Sequence, residues 1–243
     1  MKKGKRIVLF LMAAFFSLTM LSGCGSKSEE DFSSEPVSSG ALVPQEQQEN
    51  SSGSESVVYH RGTWEGNTYT NESLGFVYTM PEGWTAATDE EIMETMDAGY
   101  AALTEEQKKN YDYSREKSVN DFLTTSEDGT NGFQLAVENL GLTKGASNLS
   151  EEEYAQVLKG QMEQLSDLGY QAGATYSIQL HGKEYLVLPF KVTALELDGG
   201  RHLCQDYILR KQGQLMTAFI FTYIEGQEKQ TEDFLNTNLK ALS

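Results

Sequence analysis

Two cysteines, three histidines and four prolines are all that a chain of 243 residues holds of these types, and cations are scarce as well. Each scarcity excludes something. Two cysteines cannot make the multi-bridge framework that staples small secreted domains, and a chain this long buries a core without one. His60, His181 and His202 leave few imidazole bases. There is no Gly-x-Ser-x-Gly elbow, so a hydrolytic triad is not expected. Nineteen Lys and Arg against 36 Asp and Glu give a net charge of −17. That balance repels nucleic acid and anionic headgroups, so no nucleic-acid partner is expected. Finally, the apolar run Ile7–Met20 has 14 residues, short of the about 20 that a spanning helix needs.

What is present begins with Lys2, Lys3, Lys5 and Arg6, a basic opening with no acid, ahead of that apolar run. The order fits a secretory signal peptide over residues 1–23. The run ends in Leu21-Ser22-Gly23-Cys24. This resembles the bacterial lipobox, which implies a diacylglyceryl group on the Cys24 thiol and cleavage just before it. Two acyl chains hold a protein at a membrane where one does so only marginally. The expected location is therefore the extracytoplasmic face of a cell membrane, with lipid on Cys24 as the membrane contact. Cys204 is then left as a free thiol.

Residues 24–56 follow as lipidated Cys24 and a polar tether. Between residues 25 and 56 there are seven acids and one Lys, a charge of −6. Such a stretch buries too little apolar surface to offset its ordering entropy. As a coil of 32 residues it would span roughly 30 Å. Its apolar interruption, Ala41-Leu42-Val43-Pro44, reads either as a docking motif or as a patch without consequence. Removing the +4 of residues 1–23 and the −6 of the tether leaves −17 − 4 + 6 = −15 on Val57–Ser243.

Residues 57–243 read as one globular α+β domain, an antiparallel sheet of about six strands with helices on both faces. Phe76, Tyr78 and Met80 share a strand face at period two, with Asn71–Ser73 as the preceding turn. Thr88 and Glu91 form a capping box, and Ile92, Met96, Tyr100 and Leu103 a helical stripe. Residues 104–118 read as a polar loop, and Asp121–Thr125 with Phe133–Leu140 as paired strands. Ser150 and Glu153 make a second capping box, ahead of the stripe Tyr154, Val157, Leu158, Met162, Leu165 and Leu168. From Ala174 the period returns to two, through a His181-Gly182 turn, strands KEYLVLPFKV and ALELD, HLCQDYILR, and QLMTAFIFTY. Pro189 predicts a bulge. The last strand is apolar on both faces and so is covered on both. Residues 227–242 predict a final helix bearing Phe234, Leu235, Leu239 and Leu242.

This order, with the strand ending in Met80-Pro81-Glu82-Gly83-Trp84, the His181-Gly182 hairpin and Phe219–Tyr223 leading into a terminal helix, resembles the PsbP-like family. The resemblance implies an α/β/α sandwich over nearly all of residues 57–243. The metal cluster of the photosynthetic members is not recognisable, so their function does not carry over.

Local chemistry is sparse. His202, Cys204 and Asp206 fall on one face if RHLCQD is a strand, and their side chains suit zinc or copper. Strand neighbours two apart stand almost 7 Å apart, however, which favours a buried free thiol flanked by surface polar groups. Ser126–Asn131 carries Glu127, Asp128 and Asn131 but lacks calcium-loop spacing. Trp64 is the candidate binding residue, as an exposed ring for stacking sugars. Trp84 reads as a core ring. No catalytic residue, metal or cofactor is expected. The reading is a non-enzymatic, lipid-anchored binding or assembly module with an envelope protein as partner. A carrier of a small apolar or sugar ligand, held between sheet and helices, is the alternative.

Overall fold

The computed structural model describes residues 59–101, 105, 108, 117–143, 145–165, 167–197 and 199–242. The stretches read as signal peptide, lipidated Cys24 and tether lie outside the described residues.

Three short strands open the domain: β1 (Thr63–Glu65), β2 (Thr68–Asn71) and β3 (Phe76–Thr79). Next come β4 (Thr85–Ala86), helix α1 (Asp89–Ala101) and a hairpin of β5 (Ser118–Thr125) and β6 (Gly132–Asn139). A 3-10 turn at Leu140–Leu142 and helix α2 (Glu151–Glu163) precede β7 (Tyr170–Ala172), β8 (Tyr176–Leu180), β9 (Lys183–Leu197), β10 (Arg201–Gln212) and β11 (Leu215–Ile224). Helix α3 (Gln230–Asn238) and β12 (Leu239–Ala241) end it.

These strands make two sheets, not one of about six strands. The small sheet runs β1-β2-β3-β12; the large one has eight strands, β4-β5-β6-β11-β10-β9-β7, with β8 also on β9. Every pairing is antiparallel. The strand bearing Phe76 and Tyr78 was expected from its period of two, but β1 and β12, with three residues each, are too short to show one, which is why a separate small sheet was not expected. β12 was read as helix because Leu235, Leu239 and Leu242 keep helical spacing. The helix instead stops as Leu239 N–H donates back to Leu235 O, and Leu239 then pairs with Tyr78 of β3.

The two helix starts follow their capping boxes. Thr88 N–H donates to Glu91 Oε2 at 2.9 Å and Glu91 N–H to Thr88 Oγ1 at 3.2 Å. Ser150 and Glu153 repeat the exchange at 2.9 and 3.2 Å. Each box satisfies two amides that the first helical turn would leave unpaired. The polar loop expected over 104–118 is corrected at its edges, since Glu105 and Lys108 are helical and Ser118 begins β5.

All ten residues of β11 are buried, and its alternation feeds two cores. Met216, Ala218 and Ile220 meet Tyr154, Leu158 and Met162 of α2, with Met96 and Tyr100 of α1 against them. Phe219, Phe221 and Tyr223 face the small sheet and Leu235 of α3. Helices therefore lie on both faces, as expected, but on the second face they share the surface with a sheet.

KEYLVLPFKV and the following TALEL are one strand of 15 residues, and the bulge predicted at Pro189 is absent there. Pro189 pairs with Asp206, while its carbonyl accepts Gly173 N–H at 2.8 Å on the outer edge. Nitrogen and carbonyl of one strand residue point the same way, so the missing N–H falls in the gap between β7 and β8 and costs no ladder bond. The register shifts instead between His202 and Leu203. His181 and Gly182 take φ of 51° and 74°, the paired left-handed geometry of a two-residue hairpin turn.

Candidate functional site

The residues singled out for chemistry are scattered by the fold. Cys204 and Asp206 share the face toward the small sheet, both buried, while His202 lies beyond the register shift. Among the described residues no three His, Cys, Asp or Glu side chains group closely enough to hold an ion. Asp206 is not the surface group expected beside the thiol. It is 1 % exposed and accepts from Tyr223 Oη at 3.1 Å and Thr231 Oγ1 at 2.6 Å. Burial raises its carboxyl above the usual range, against the lowering effect of those two hydroxyls. Burial likewise pushes the Cys204 thiol up to about 11, helped by the carboxylates of Glu225, Glu228 and Asp206. A thiol held there is neutral and a poor nucleophile or ligand.

Asp128 closes its own hairpin turn, accepting from Ser126 Oγ at 2.7 Å and from Thr130 N–H and Oγ1 at 3.0 and 2.8 Å. Those donors hold its carboxyl below the usual range. Trp64 is half-buried, with its ring 5.2 Å from Tyr69, 6.0 Å from Tyr78 and 5.9 Å from Phe122. It caps an aromatic cluster at the edge of the small sheet. Trp84 stacks on Phe234 at 5.3 Å.

The fold instead assembles two features from distant residues. The first is a node on Asp121, whose side chain is fully buried. The ladder between β5 and β6 shifts register between Asn120 and Phe122, so Asp121 stands in a bulge, the kind of irregularity that re-aims a side chain. Its carboxylate accepts from Arg61 Nε at 3.0 Å, Asn71 Nδ2 at 3.0 Å and the hydroxyls of Tyr59 and Tyr69. Arg61 also reaches Asp89 through both terminal nitrogens, at 2.9 and 3.2 Å. Burial, then the Asp121 charge, raises the Tyr59 hydroxyl well above its usual range. The segment where the chain joins the domain is thereby fastened to β2, β5 and α1.

The second feature is a slot where the two sheets part. Leu74, Phe76 and Phe219 form its floor and Tyr185 one wall. Its rim carries His181, Lys183, Arg210 and Lys240. Among the described residues no Asp or Glu lines it. The Arg210 guanidinium lies 5.6 Å over the Tyr185 ring, and His181 Nε2 donates to Leu239 O at 2.6 Å. Among the described residues Lys183, Arg210 and Lys240 have no carboxylate partner. The enclosed part holds about 20 Å³, room for a single water molecule. The slot is thus a shallow cationic surface over aromatic rings, on a chain that is otherwise strongly acidic.

Sequence reasoning missed the rim because its members come from the β8–β9 turn, β9, β10 and β12. The one local signal was Lys183 and Tyr185 at period two, directly after the His181-Gly182 turn.

No protein-family model matches the chain, and neither does any curated protein. Solved structures do resemble it. The solution structure of cyanobacterial PsbP from Synechocystis is similar at a TM-score of 0.43 and 11 % identity, over 72 % of this chain and 91 % of that one. A protein from Bacteroides thetaiotaomicron is similar at 0.39 and 13 %, over 73 % and 49 %. LpqN, involved in cell envelope biogenesis of Mycobacterium tuberculosis, is similar at 0.36 and 10 %, over 68 % and 82 %. At these identities and scores none of the likenesses assigns a role to a residue of this chain. Among the described residues no helix is long and apolar enough to cross a membrane.

Proposed function

We propose that the protein is a non-enzymatic binding or assembly module, held by lipid on Cys24 at the extracytoplasmic face of a membrane, with an envelope protein as its partner. The lipobox-like sequence supports the anchor. The observation that carries the binding role is the slot rim, where Lys183, Arg210 and Lys240 have no carboxylate partner among the described residues, on a chain of net charge −17. Cations grouped around aromatic rings favour a partner that presents acidic groups, and complementary charge supplies orientation and speed of encounter. The open, shallow form of the slot favours docking over storage of a small ligand. A carrier remains the second reading for a ligand seated elsewhere between the layers.

The test places a photo-crosslinking residue at Lys240, with Glu163 on α2 as the control site, in cells that make the full chain. The expected result is one reproducible protein adduct from the slot position, lost when Arg210 and Lys183 are changed to Glu. Equal labelling from both positions, or none from the slot, sinks the reading. For the anchor, Cys24→Ser is expected to leave an unprocessed precursor; a normally cleaved, membrane-bound product overturns it.

A further inference from the structure

The small sheet ends at β12, and the slot opens along that edge. Residues opposed across an antiparallel pair alternate between bonded and non-bonded positions. Leu242 N–H donates to Gly75 O at 3.1 Å, and Lys240, two residues earlier, stands opposite Val77. Leu242 and Lys240 therefore turn their backbone groups to β3, and Leu239 and Ala241 turn theirs away. Leu239 is satisfied there: its carbonyl accepts from His181 Nε2 at 2.6 Å and its N–H closes helix α3. Ala241 is exposed and lines the slot. Among the described residues no strand lies on that side of it, so its N–H and carbonyl face the opening.

Across the slot lies the large sheet. Lys183 and Tyr185 keep step along β9 with Val187, and Arg210 keeps step along β10 with Ile208. Val187 and Ile208 oppose each other and pack toward the small sheet. By that alternation Lys183, Tyr185 and Arg210 look the same way, and all three line the slot.

We infer that the slot takes an extended segment of the partner as a fifth strand of the small sheet, antiparallel to β12 and bonded through Ala241, with a carboxylate at every second residue turned onto Lys183 and Arg210. This rests on the reading of the slot as a docking surface. An open strand edge is a template for another chain. Opposed residues of a pair share a face, and Leu239, two positions before Ala241, is buried between the sheets. The residue opposite Ala241 thus turns its side chain inward, toward the cations, and its neighbours turn theirs outward. An enclosed volume of about 20 Å³ admits no large anchoring side chain. Main-chain bonds then supply affinity, and the alternate carboxylates supply selection.

The probe is a short synthetic peptide of alternating Glu and Thr, made also with every Glu amide or every Thr amide N-methylated. The full chain, in detergent and with isotope-labelled alanine, is titrated with each while exchange of the Ala241 N–H is followed by NMR. The plain peptide is expected to slow that exchange severalfold and saturably. Methylation at Glu removes the N–H groups aimed at β12 and should abolish the protection. Methylation at Thr falls on the far edge and should preserve it. Ala241→Pro lacks the edge donor but keeps the bonds of Lys240 and Leu242 to β3. Its urea midpoint should hold while binding of the labelled peptide falls about tenfold. Should that variant unfold, the two methylated peptides still decide. Their equal binding overturns the inference, as does an Ala241 N–H that exchanges equally fast with and without peptide. A cellular adduct at position 240 that persists in folded Ala241→Pro would leave the proposed function standing and sink the added strand. Protection by the peptide without any cellular adduct would do the reverse.

Discussion

Asp121 and Asp206 are both buried carboxylates on the same side of the large sheet, and they are held in opposite ways. Asp121 has a guanidinium, an amide and two phenols around it. Asp206 has two neutral hydroxyls. A buried charge is tolerated when a cation and enough donors replace the water it lost. With hydroxyls alone the carboxyl keeps its proton to a higher pH, which is the direction found for Asp206. One carboxylate thus fastens distant segments beside a cation, while the other fills its place most easily when neutral. The difference lies in where each is spent. Asp121 secures the first described residues, Tyr59 and Arg61, to the body of the domain, and Asp206 pins Thr231 of α3 to β10.

The largest effect should come from removing the stronger node. Asp121→Ala leaves Tyr69 and Asn71, both buried, and Tyr59 without their shared acceptor. The expected loss is about 3 kcal/mol, read as a lower urea midpoint with unchanged slope. A loss under about 1 kcal/mol would reduce the node to an ordinary surface pair. Next in size is a rate. With its thiol pushed up to about 11 from 9.0, Cys204 on the Asp206 side should react with a thiol reagent at pH 8 about a hundredfold more slowly than an unshifted cysteine, two pKa units being a factor of a hundred in thiolate. Denaturant should restore the ordinary rate. Fast labelling of the native protein would mean that this side of the core opens readily.

A smaller, pH-dependent effect separates the two carboxylates directly. Asp206 has a raised folded pKa, so the folded state binds its proton more tightly than the unfolded chain does. Its contribution is complete below the unfolded value, about 3.9, and declines as pH rises through the folded value. Asp206→Asn lacks this decline. Near pH 4 the variant should match the wild type to within about 1 kcal/mol, and the comparison should move in its favour toward pH 8. A difference that stays flat, or moves against the variant, would show that Asp206 is held as a comfortable ion after all.

What could be read from the sequence was what lies close along it. Both capping boxes span three residues and stand as expected. The two-faced β11 announced itself by ten apolar or small positions in a row, and the turn at His181-Gly182 by its residues. Neither node nor slot could be read so. Arg61 and Asp121 are 60 positions apart, and the bulge that turns Asp121 inward leaves no trace in the alternation. Asp121 looked like the first residue of a strand, and His60 like the end of a tether. The slot needs β12, which helical spacing disguised, to stand beside the β8–β9 turn.

The smallest effect tests whether Arg61 or burial gives the Asp121 node its strength, because the same guanidinium serves both carboxylates. Asp89 is 72 % exposed in its side chain and Arg61 43 %, so their bidentate pair is largely screened by solvent. The Arg61 guanidinium holds the Asp89 carboxyl below the usual range. That contribution is present above the unfolded pKa, about 3.9, and is lost as pH falls through the lower folded value. Asp89→Asn should therefore cost only a few tenths of a kcal/mol at pH 7, still less in high salt, and nothing in acid. The Thr88–Glu91 box stays intact in that variant, so helix α1 starts as before. If Asp89→Asn instead cost as much as Asp121→Ala, the strength of the node would reside in Arg61 being held from both sides. Burial of the Asp121 carboxylate would then be its consequence, since a guanidinium released from Asp89 would no longer sit where the bulge presents its acceptor.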